Sequence, residues 1–599
     1  MEAGTASTPS SSTGAKTMAG LAAVAADTHA GNVALRHKVG DEWVDVSYAE
    51  LGATVSEVAR GIIDLGIGRG DRVSILANTR PEWTYANFGI LAAGAASVSI
   101  YQTNSPEECH YVLDHSESRA VFVEDAEQLA KIQEIEADLP ALEFVIVMAP
   151  EDDLDIDDAI TLEDLRTRGR ARDQADLDER TASVTPDDAA VFIYTSGTTG
   201  PPKGVILTQG NYRSMVDAVE EPSALVGGEV AYLFLPLAHA FALLIQFVVI
   251  DLGAILAYWE KDPNKIIPNL MEVKPTYFPS IPRIFEKLYT LARSNTEDLD
   301  ALEKAVAVGS QVRQMRERGE EVPDELEQAF QQADEKLFAN VRNLFGGNLR
   351  QCVTGAAPIA KEILEFFYAC GIPIMEGYGM TETATAATAN LVADFRFGSV
   401  GKPFPGVEVK IADDGEVLLR GPNIFKEYYK NADATQETLV DDWLHTGDLG
   451  LIDDDGFLYI TGRKKDIIIT AGGKNITPAN IENGLKQNRY ISQAVVIGDR
   501  RPYLVALITL DPDELQGFAD AHGLASPDEV AGSDAMRDEV QGAMDEVNAR
   551  VGRVEQVKKF VILPEDLSQA TGELTPTLKV KRNVVNEKFA DEVEKLYAT

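Results

Sequence analysis

The stretch AAVFIYTSGTTGPPKGV, residues 189–205, decides how the rest of the chain reads. Its first five residues are apolar and read as a buried strand. Every residue from 195 to 202 is then Ser, Thr, Gly or Pro, and Lys203 follows. Small residues such as Gly197, Gly200 and Gly204 let backbone N–H groups approach an anion closely. The hydroxyls of Thr195, Ser196, Thr198 and Thr199 add donors, and Lys203 adds a cation. No Gly-Lys-Ser/Thr ends the loop, so it is not a Walker A motif. A flexible surface loop is the plain alternative, but eight such residues directly after a buried strand favour a phosphate cradle.

The surroundings of this loop fit an α/β domain. RVSILA at 72–77, ASVSIY at 96–101 and AVFVE at 120–124 read as buried strands. EWTYANFGILAAG, ended by Gly94, and PEECHYVLDHS read as the helices between them. Such alternation predicts a largely parallel sheet with helices on its faces. The acidic run 151–165 and the charged segment 166–180 read as a solvated connector. Residues 295–345 lack strand pattern and predict an insertion of two helices, broken near Gly319 and Pro323, with Leu326, Phe330, Ala333 and Leu337 on one face.

Beyond Pro478 the pattern becomes a small α+β unit with strands at SQAVVIGD, YLVALITL and KKFVILP. The expected organisation is a disordered lead-in over 1–20, a large domain of mixed and parallel sheets over 21–463, and a small, mobile α+β domain over 464–599.

At 599 residues the chain is too long for one core. Its composition, 45% hydrophobic and 25% charged, excludes disorder throughout. With 54 Lys and Arg against 96 Asp and Glu the net charge is −42, which excludes a general nucleic-acid binder. Adhesion to anionic lipid through surface charge is also disfavoured. Three cysteines without a CxxC pair exclude a disulfide scaffold and a structural zinc module, and read as buried thiols in a reducing compartment. The apolar LAAVAA that follows the polar start is too short for a secretory signal. Residues 233–259 could span a bilayer by length, but Asp251 alone would cost several kcal/mol there. The preferred reading is a buried helix followed by a buried strand, with the switch near Gly253.

Four further motifs carry candidate chemistry. In MEGYGMTET, 375–383, Tyr378 offers a flat face for a base and Gly379 allows close approach. Thr381 can donate to a phosphate oxygen, and Glu382 is a hard oxygen donor suited to Mg²⁺. A turn with a Thr381 helix cap explains the same residues. In LHTGDLG, 444–450, Asp448 can accept from ribose hydroxyls, although an Asp turn is the commoner meaning. Arg463, in TGRKKDIIITAGGKNITP, can reach a ribose or phosphate. Lys579 and Lys581, in LTPTLKVKRNVV, would by themselves be solvated lysines.

In this fixed order the five motifs resemble the adenylate-forming superfamily across roughly residues 45–590. PSIPRIFEKLY, the helical insertion and CVTGAAP are most similar to the long-chain fatty acyl-CoA synthetases, including the bubblegum-type branch. The resemblance implies a fatty acid–CoA ligase that uses ATP, Mg²⁺ and coenzyme A: acyl-AMP and pyrophosphate form first, then acyl-CoA and AMP. It implies that 195–200 and Lys203 grip phosphates and that Thr195 and Glu382 hold Mg²⁺. It implies that Gly355, Ala356, Ala357, Glu376, Gly377, Tyr378 and Gly379 line the adenine pocket, and that Thr381 touches the α-phosphate.

Asp448 and Arg463 would hold the ribose, and Lys579 would neutralise charge during adenylation. The family usually has Gly before this lysine, and here the residue is Leu578; Lys581 is the reserve. Lys465 would be the hinge of a pivoting small domain, and Ala471, Gly472, Gly473 and Lys474 would help build the thiol tunnel. His239 would lie between acyl pocket and adenylate, with Phe241, Leu244 and Phe247 as apolar pocket candidates. The alternative activity is a fatty acyl-AMP ligase that serves a carrier protein. The expected location is the cytoplasm, as a monomer or homodimer, with peripheral membrane contact left open.

Overall fold

The computed structural model describes residues 12–150, 156, 159–195, 201–220, 225–294, 298–471, 474–575 and 578–598. Two large sheets dominate them. The first orders its eight strands Glu427–Tyr428, Lys203–Thr208, Ala189–Thr195, Ala96–Ile100, Arg72–Leu76, Ser118–Val123, Phe144–Val147 and Ile160–Thr161. From Ala189–Thr195 to Ile160–Thr161 every pairing is parallel. The hairpin partner Lys203–Thr208 runs antiparallel to Ala189–Thr195, so the loop between them opens at the sheet end. Ala96–Ile100 is buried along its whole length, and Pro81–Ala92 covers it as a helix ended by Gly94 at φ +74°.

The second sheet has nine strands, and its parallel part carries Tyr277–Ser280, Gln351–Thr354 and Ile374–Tyr378 side by side. A third sheet is built on the hairpin Trp443–Ile452 and Leu458–Arg463. One apolar core joins the first two sheets and reaches the third.

Residues 233–259 form the buried helix Ala240–Asp251 and the buried strand Ile255–Tyr258, with the turn at Gly253, φ +70°. Among the described residues no helix is long and apolar enough to cross a membrane. Asp251 explains why this apolar helix carries a charge. Its carboxylate takes a bidentate pair from Arg213 at 3.0 and 3.1 Å, a Ser12 hydroxyl at 2.7 Å and the Thr13 hydroxyl. Burial would raise its pKa, and Arg213 with the two hydroxyls more than offsets that and holds it below the usual range.

Two expectations need correction. Residues 1–11 lie outside the described residues, but 12–20 are ordered rather than a disordered lead-in. Ser12 and Thr13 bind Asp251, and Met18–Thr28 is a helix with Met18 and Leu21 fully buried. Within the expected solvated connector, Leu162–Ala171 and Gln174–Ala182 are helices. Arg166 and Arg170 pair with Glu57 on the helix Tyr48–Asp64, and Leu165 is buried beneath it. High charge concealed an amphipathic face there. The insertion does break at Gly319 and Pro323, between Leu299–Glu317 and Asp324–Ala333. The second helix then passes through a π-helical turn at Asp334–Phe338. Leu326, Phe330, Ala333 and Leu337 pack on the core as one face, and the turn brings the fully buried Phe338 in beside them.

Beyond residue 464 the chain has its own cores on the two faces of a three-stranded sheet, Ile491–Ile497, Leu504–Leu510 and Val557–Ile562. Val496, Ala506 and Phe560 face one core, and Val495 and Leu507 the other.

Asp251→Ala should lower stability by about 1.5–3 kcal/mol, because Arg213 keeps Asp217 but loses its buried partner, and Ser12 and Thr13 lose their charged acceptor. Thermal unfolding and hydrogen exchange of Met18–Thr28 read this. An unchanged melting temperature would count against the pairing as an anchor of the N-terminal segment.

Candidate nucleotide site

The site assembles where the three sheets meet. Asp448, on Trp443–Ile452, is paired in register with Arg463 on Leu458–Arg463. Arg463 Nε donates to Asp448 Oδ1 at 2.6 Å, and the Tyr378 hydroxyl donates to Oδ2 at 2.8 Å. Tyr378 ends the strand Ile374–Tyr378, so this one carboxylate links the second and third sheets. The Thr446 hydroxyl receives the Asp448 backbone N–H at 3.0 Å and donates to Val417. Glu416 accepts from the Gly447 backbone at 2.8 Å and from Lys464 at 3.0 Å, which fixes the same turn from below.

Thr381 and Glu382 sit in the buried 3₁₀ turn Thr381–Thr383. Gly379 is needed just before it: a Cβ there would come within 2.3 Å of the Thr385 carbonyl. The Thr385 hydroxyl donates to the Ala240 carbonyl at 2.7 Å and ties this turn to the helix that His239 caps. Tyr428 donates to Glu382 Oε1 at 2.7 Å, and Lys203 Nζ lies 4.7 Å from the centre of the Tyr428 ring. Thr195 ends its strand opposite Lys203 and donates to the Lys203 carbonyl at 3.5 Å. Ser196, Gly197, Thr198, Thr199 and Gly200 lie outside the described residues, as do Gly472 and Gly473.

Gly355 and Gly377 lie on neighbouring strand ends: a Cβ on Gly355 would approach the Gly377 carbonyl to 3.2 Å. Ala356, at φ +68°, and Ala357 continue the turn and are exposed. Glu376 is buried on the same strand. Its Oε2 has no hydrogen-bond partner among the described residues, and neither has Oγ1 of Thr354, its register neighbour. Burial pushes the Glu376 carboxyl up to about 8, against the Gly398 backbone N–H. It is therefore protonated at neutral pH and has one oxygen to offer a ligand.

Lys579 reaches this site from the far end of the chain. Leu578 adopts φ +59°, a left-handed turn in which Lys579 N–H donates to the Thr575 hydroxyl at 3.0 Å. That backbone geometry accounts for the glycine expected at 578, since a leucine there is strained. Protein encloses the Lys579 ammonium on most sides, yet its side chain keeps access to solvent through the cleft. Burial, and next Arg463, hold its pKa below the lysine range, while Asp448 and Glu382 pull the other way. His239 feels the same charge: burial, then Lys579, push it down to about 4, so its ring is neutral. Lys581 instead caps the helix Arg582–Lys588 through its backbone. Lys474 is exposed and stands 4.0 Å from Glu555. Lys465, in the 3₁₀ turn Lys464–Asp466 that follows Arg463, is exposed.

Residues 22–429 match the AMP-binding enzymes, and 465–599 match the AMP-binding enzyme C-terminal domain. The chain belongs to the AMP-binding enzyme family. It is 40% identical over 565 residues to the long-chain-fatty-acid–CoA ligase FadD15 of Mycobacterium bovis, covering 93% of this chain and 92% of that one. It is 34% identical over 604 residues to the long-chain-fatty-acid–CoA ligase ACSBG2 of Xenopus laevis, covering 94% and 81%. The solved adenylation domain of a carboxylate reductase from Mycobacterium chelonae shares the fold at a TM-score of 0.78, with 20% identity over 97% and 91% of the two chains.

In this AMP-binding enzyme Tyr428 is the residue that motif reading missed. It stands in the unremarkable strand text KEYYK, and only the position of Glu382 reveals it. Phe247 is a correction. It packs edge-on against Phe88 and Tyr212, at 5.7 and 5.0 Å between ring centres, and so belongs to the core rather than to an acyl pocket. Among the described residues no three His, Cys, Asp or Glu could enclose a metal ion. The Thr195 hydroxyl and Glu382 carboxylate form a sparse all-oxygen set, which suits Mg²⁺ shared with substrate phosphates.

The Glu376 carboxyl makes stability depend on pH. Its folded pKa of about 8 lies above the ordinary carboxylate value of 4.5. The fold then holds a proton that the unfolded chain releases, so stability falls as pH rises from about 4.5 to 8. Glu376→Gln should flatten this slope by up to about 1 kcal/mol per pH unit, which makes the variant relatively more stable at pH 8 than at pH 5. Parallel slopes in thermal unfolding would contradict a buried, protonated carboxyl.

Proposed function

We propose that the chain is a long-chain fatty acid–CoA ligase that uses ATP, Mg²⁺ and coenzyme A. The observation that carries this reading is the meeting of Lys579 with Asp448, Arg463 and Glu382 in one cleft. Two relatives that bear this activity in their names, at 40% and 34% identity over more than nine-tenths of the chain, support the substrate class.

In this reading a fatty acid carboxylate oxygen attacks the α-phosphorus of ATP. The bond to the bridging oxygen breaks, and pyrophosphate leaves. The thiol of coenzyme A then loses its proton and attacks the acyl carbonyl, and AMP leaves. Adenylation is needed because a carboxylate has only oxide as a leaving group. Displacement at phosphorus depends mostly on positioning and charge neutralisation.

The adenine lies against Tyr378 and the Gly355–Gly377 strand ends, with Glu376 Oε2 offered to its polar edge. Asp448, oriented by Tyr378 and Arg463, accepts from ribose hydroxyls. Thr381 donates to the α-phosphate, and Lys579 balances the charge that builds there. Thr195 and Glu382 would hold Mg²⁺, which would neutralise charge on the phosphate tail. A neutral His239 borders the acyl carbonyl without opposing Lys579. The acyl chain follows apolar walls that include Phe241 and Leu244, with about 0.8 kcal/mol gained per buried methylene.

The small unit beyond 464 pivots at Lys465 between the two steps, so that Lys579 withdraws and the 471–474 segment approaches the thiol. The enzyme works in the cytoplasm, in keeping with three free, buried thiols at Cys109, Cys352 and Cys370.

Purified protein with ATP, Mg²⁺ and CoA should release AMP in a CoA-dependent manner, with an optimum at long-chain acids. An optimum at short or aromatic acids would overturn the substrate class, and adenylation that CoA cannot discharge would favour an acyl-AMP ligase. Lys579→Ala should slow acid-dependent pyrophosphate exchange by about a hundredfold or more, yet change thioester formation from supplied acyl-AMP by no more than about threefold. Equal losses in both steps would remove its assigned role.

A further inference from the structure

The helix Pro106–Ser116 grips both strands that flank residues 196–200. Its start is set by a capping box between Ser105 and Glu108. Tyr111 and His115, four residues apart, share one face, and their rings stack at 5.5 Å with 15° between planes. The Tyr111 hydroxyl donates to the Pro202 carbonyl at 2.9 Å. His115 Nδ1 and the Tyr194 hydroxyl share a hydrogen bond of 2.9 Å. Tyr194 immediately precedes Thr195, and Pro202 immediately precedes Lys203. The two bonds therefore hold the incoming leg one residue before the Thr195–Lys203 pair, at Tyr194, and the outgoing leg on the loop side of it, at Pro202.

The outgoing leg needs such help. Pro201 and Pro202 have no backbone N–H, so the ladder between the strands cannot continue through them. Tyr111 replaces the missing ladder bond with a side-chain bond to the carbonyl that remains. Tyr194 is confined as well: a Cβ on Gly204 would approach its ring to 3.1 Å. Tyr429 closes the group by meeting His115 and Phe192 edge-on at 5.7 and 5.2 Å. Tyr111 and His115 also border an open cleft of about 320 Å³ with Lys203 and Lys430. Trimming a polar atom from either residue therefore opens no cavity in the core.

We propose that Tyr111 and His115 are positioning residues that hold Pro202 and Tyr194 and thereby place the Lys203 ammonium and the Thr195 hydroxyl for the β- and γ-phosphates of ATP. This rests on the reading of residues 195–203 as the phosphate cradle. Neither residue touches the nucleotide. Each acts through the backbone that carries Thr195 and Lys203. The adenosine end, held around Tyr378 and Asp448, is independent of the clamp.

The test compares ATP and AMP binding by calorimetry, with Mg²⁺ and without acid or CoA. Tyr111→Phe keeps the ring stack and loses only the hydroxyl. His115→Phe keeps a ring and loses Nδ1. Each should weaken ATP binding about threefold to tenfold, as expected for one hydrogen bond, and the double variant should weaken it further. AMP affinity should stay within about twofold and the melting temperature within about 2 °C, the margins expected when no core contact is lost. ATP affinity unchanged in both variants, or ATP and AMP affinities falling together, would overturn the clamp. Wild type that binds ATP in this assay but forms no acyl-CoA when fatty acid and CoA are supplied separately would defeat the ligase reading and leave the clamp standing.

Discussion

Asp448 is the joint on which this architecture turns. One buried carboxylate receives Tyr378 from the second sheet and Arg463 from its own hairpin, and it lies within electrostatic reach of Lys579. A charge with so little solvent around it is tolerated only where donors surround it. The two donors lie about 70 residues before and 15 residues after Asp448, and the nearby Lys579 charge comes from about 130 residues further on. The third sheet is thereby registered against the second, and the Gly447 turn is held rigid by Glu416 and Thr446. The hairpin that carries Arg463 also delivers the chain to the small unit.

Electrostatics in the cleft run against those of the whole molecule. The chain carries a net charge of −42, yet Lys203, Arg463 and Lys579 converge here. Local placement rather than net charge creates an anion site. Burial then sorts the titratable groups: His239 stays neutral, Glu376 keeps its proton, and Lys579 is held below the usual lysine range. Two neutral groups thus accompany the cationic Lys579, which suits a reaction that moves negative charge along a phosphate chain.

The contacts between the small unit and the rest are polar and partly exposed. Arg283 pairs with Asp511, Lys287 with Asp513, and Gln569 with Thr103. Exposed ion pairs of this kind contribute little, about 0–1 kcal/mol each. Among the described residues the buried apolar side chains of the small unit lie in its own two cores, while Ile469, Val554 and Leu578 are exposed. An interface held mainly by weak pairs can separate without exposing a core, and this is the physical condition for the proposed pivot.

Local pattern was enough for much of the chain. The strands at 72–76, 96–100, 118–123 and 189–195 announce themselves through apolar runs, and the turn at Gly253 follows from a run too polar for a membrane. The motif residues Thr381, Glu382, Asp448 and Arg463 drew attention in the sequence because the proposed chemistry needs particular side chains at short spacing. Sequence by itself could not see Tyr428, Tyr111 or His115, since an ordinary tyrosine or histidine acquires meaning only from what it faces. Nor could it tell that residues 12–20 dock on Asp251, or that charged helices at 162–182 pack on Glu57. Tertiary structure alone decided that Lys579 rather than Lys581 faces Asp448, because a left-handed turn at Leu578 and closeness to Asp448 are properties of space. Pattern reports the preferences of neighbouring residues. Proximity between distant ones, and the pKa that burial imposes, exist only once the chain has folded.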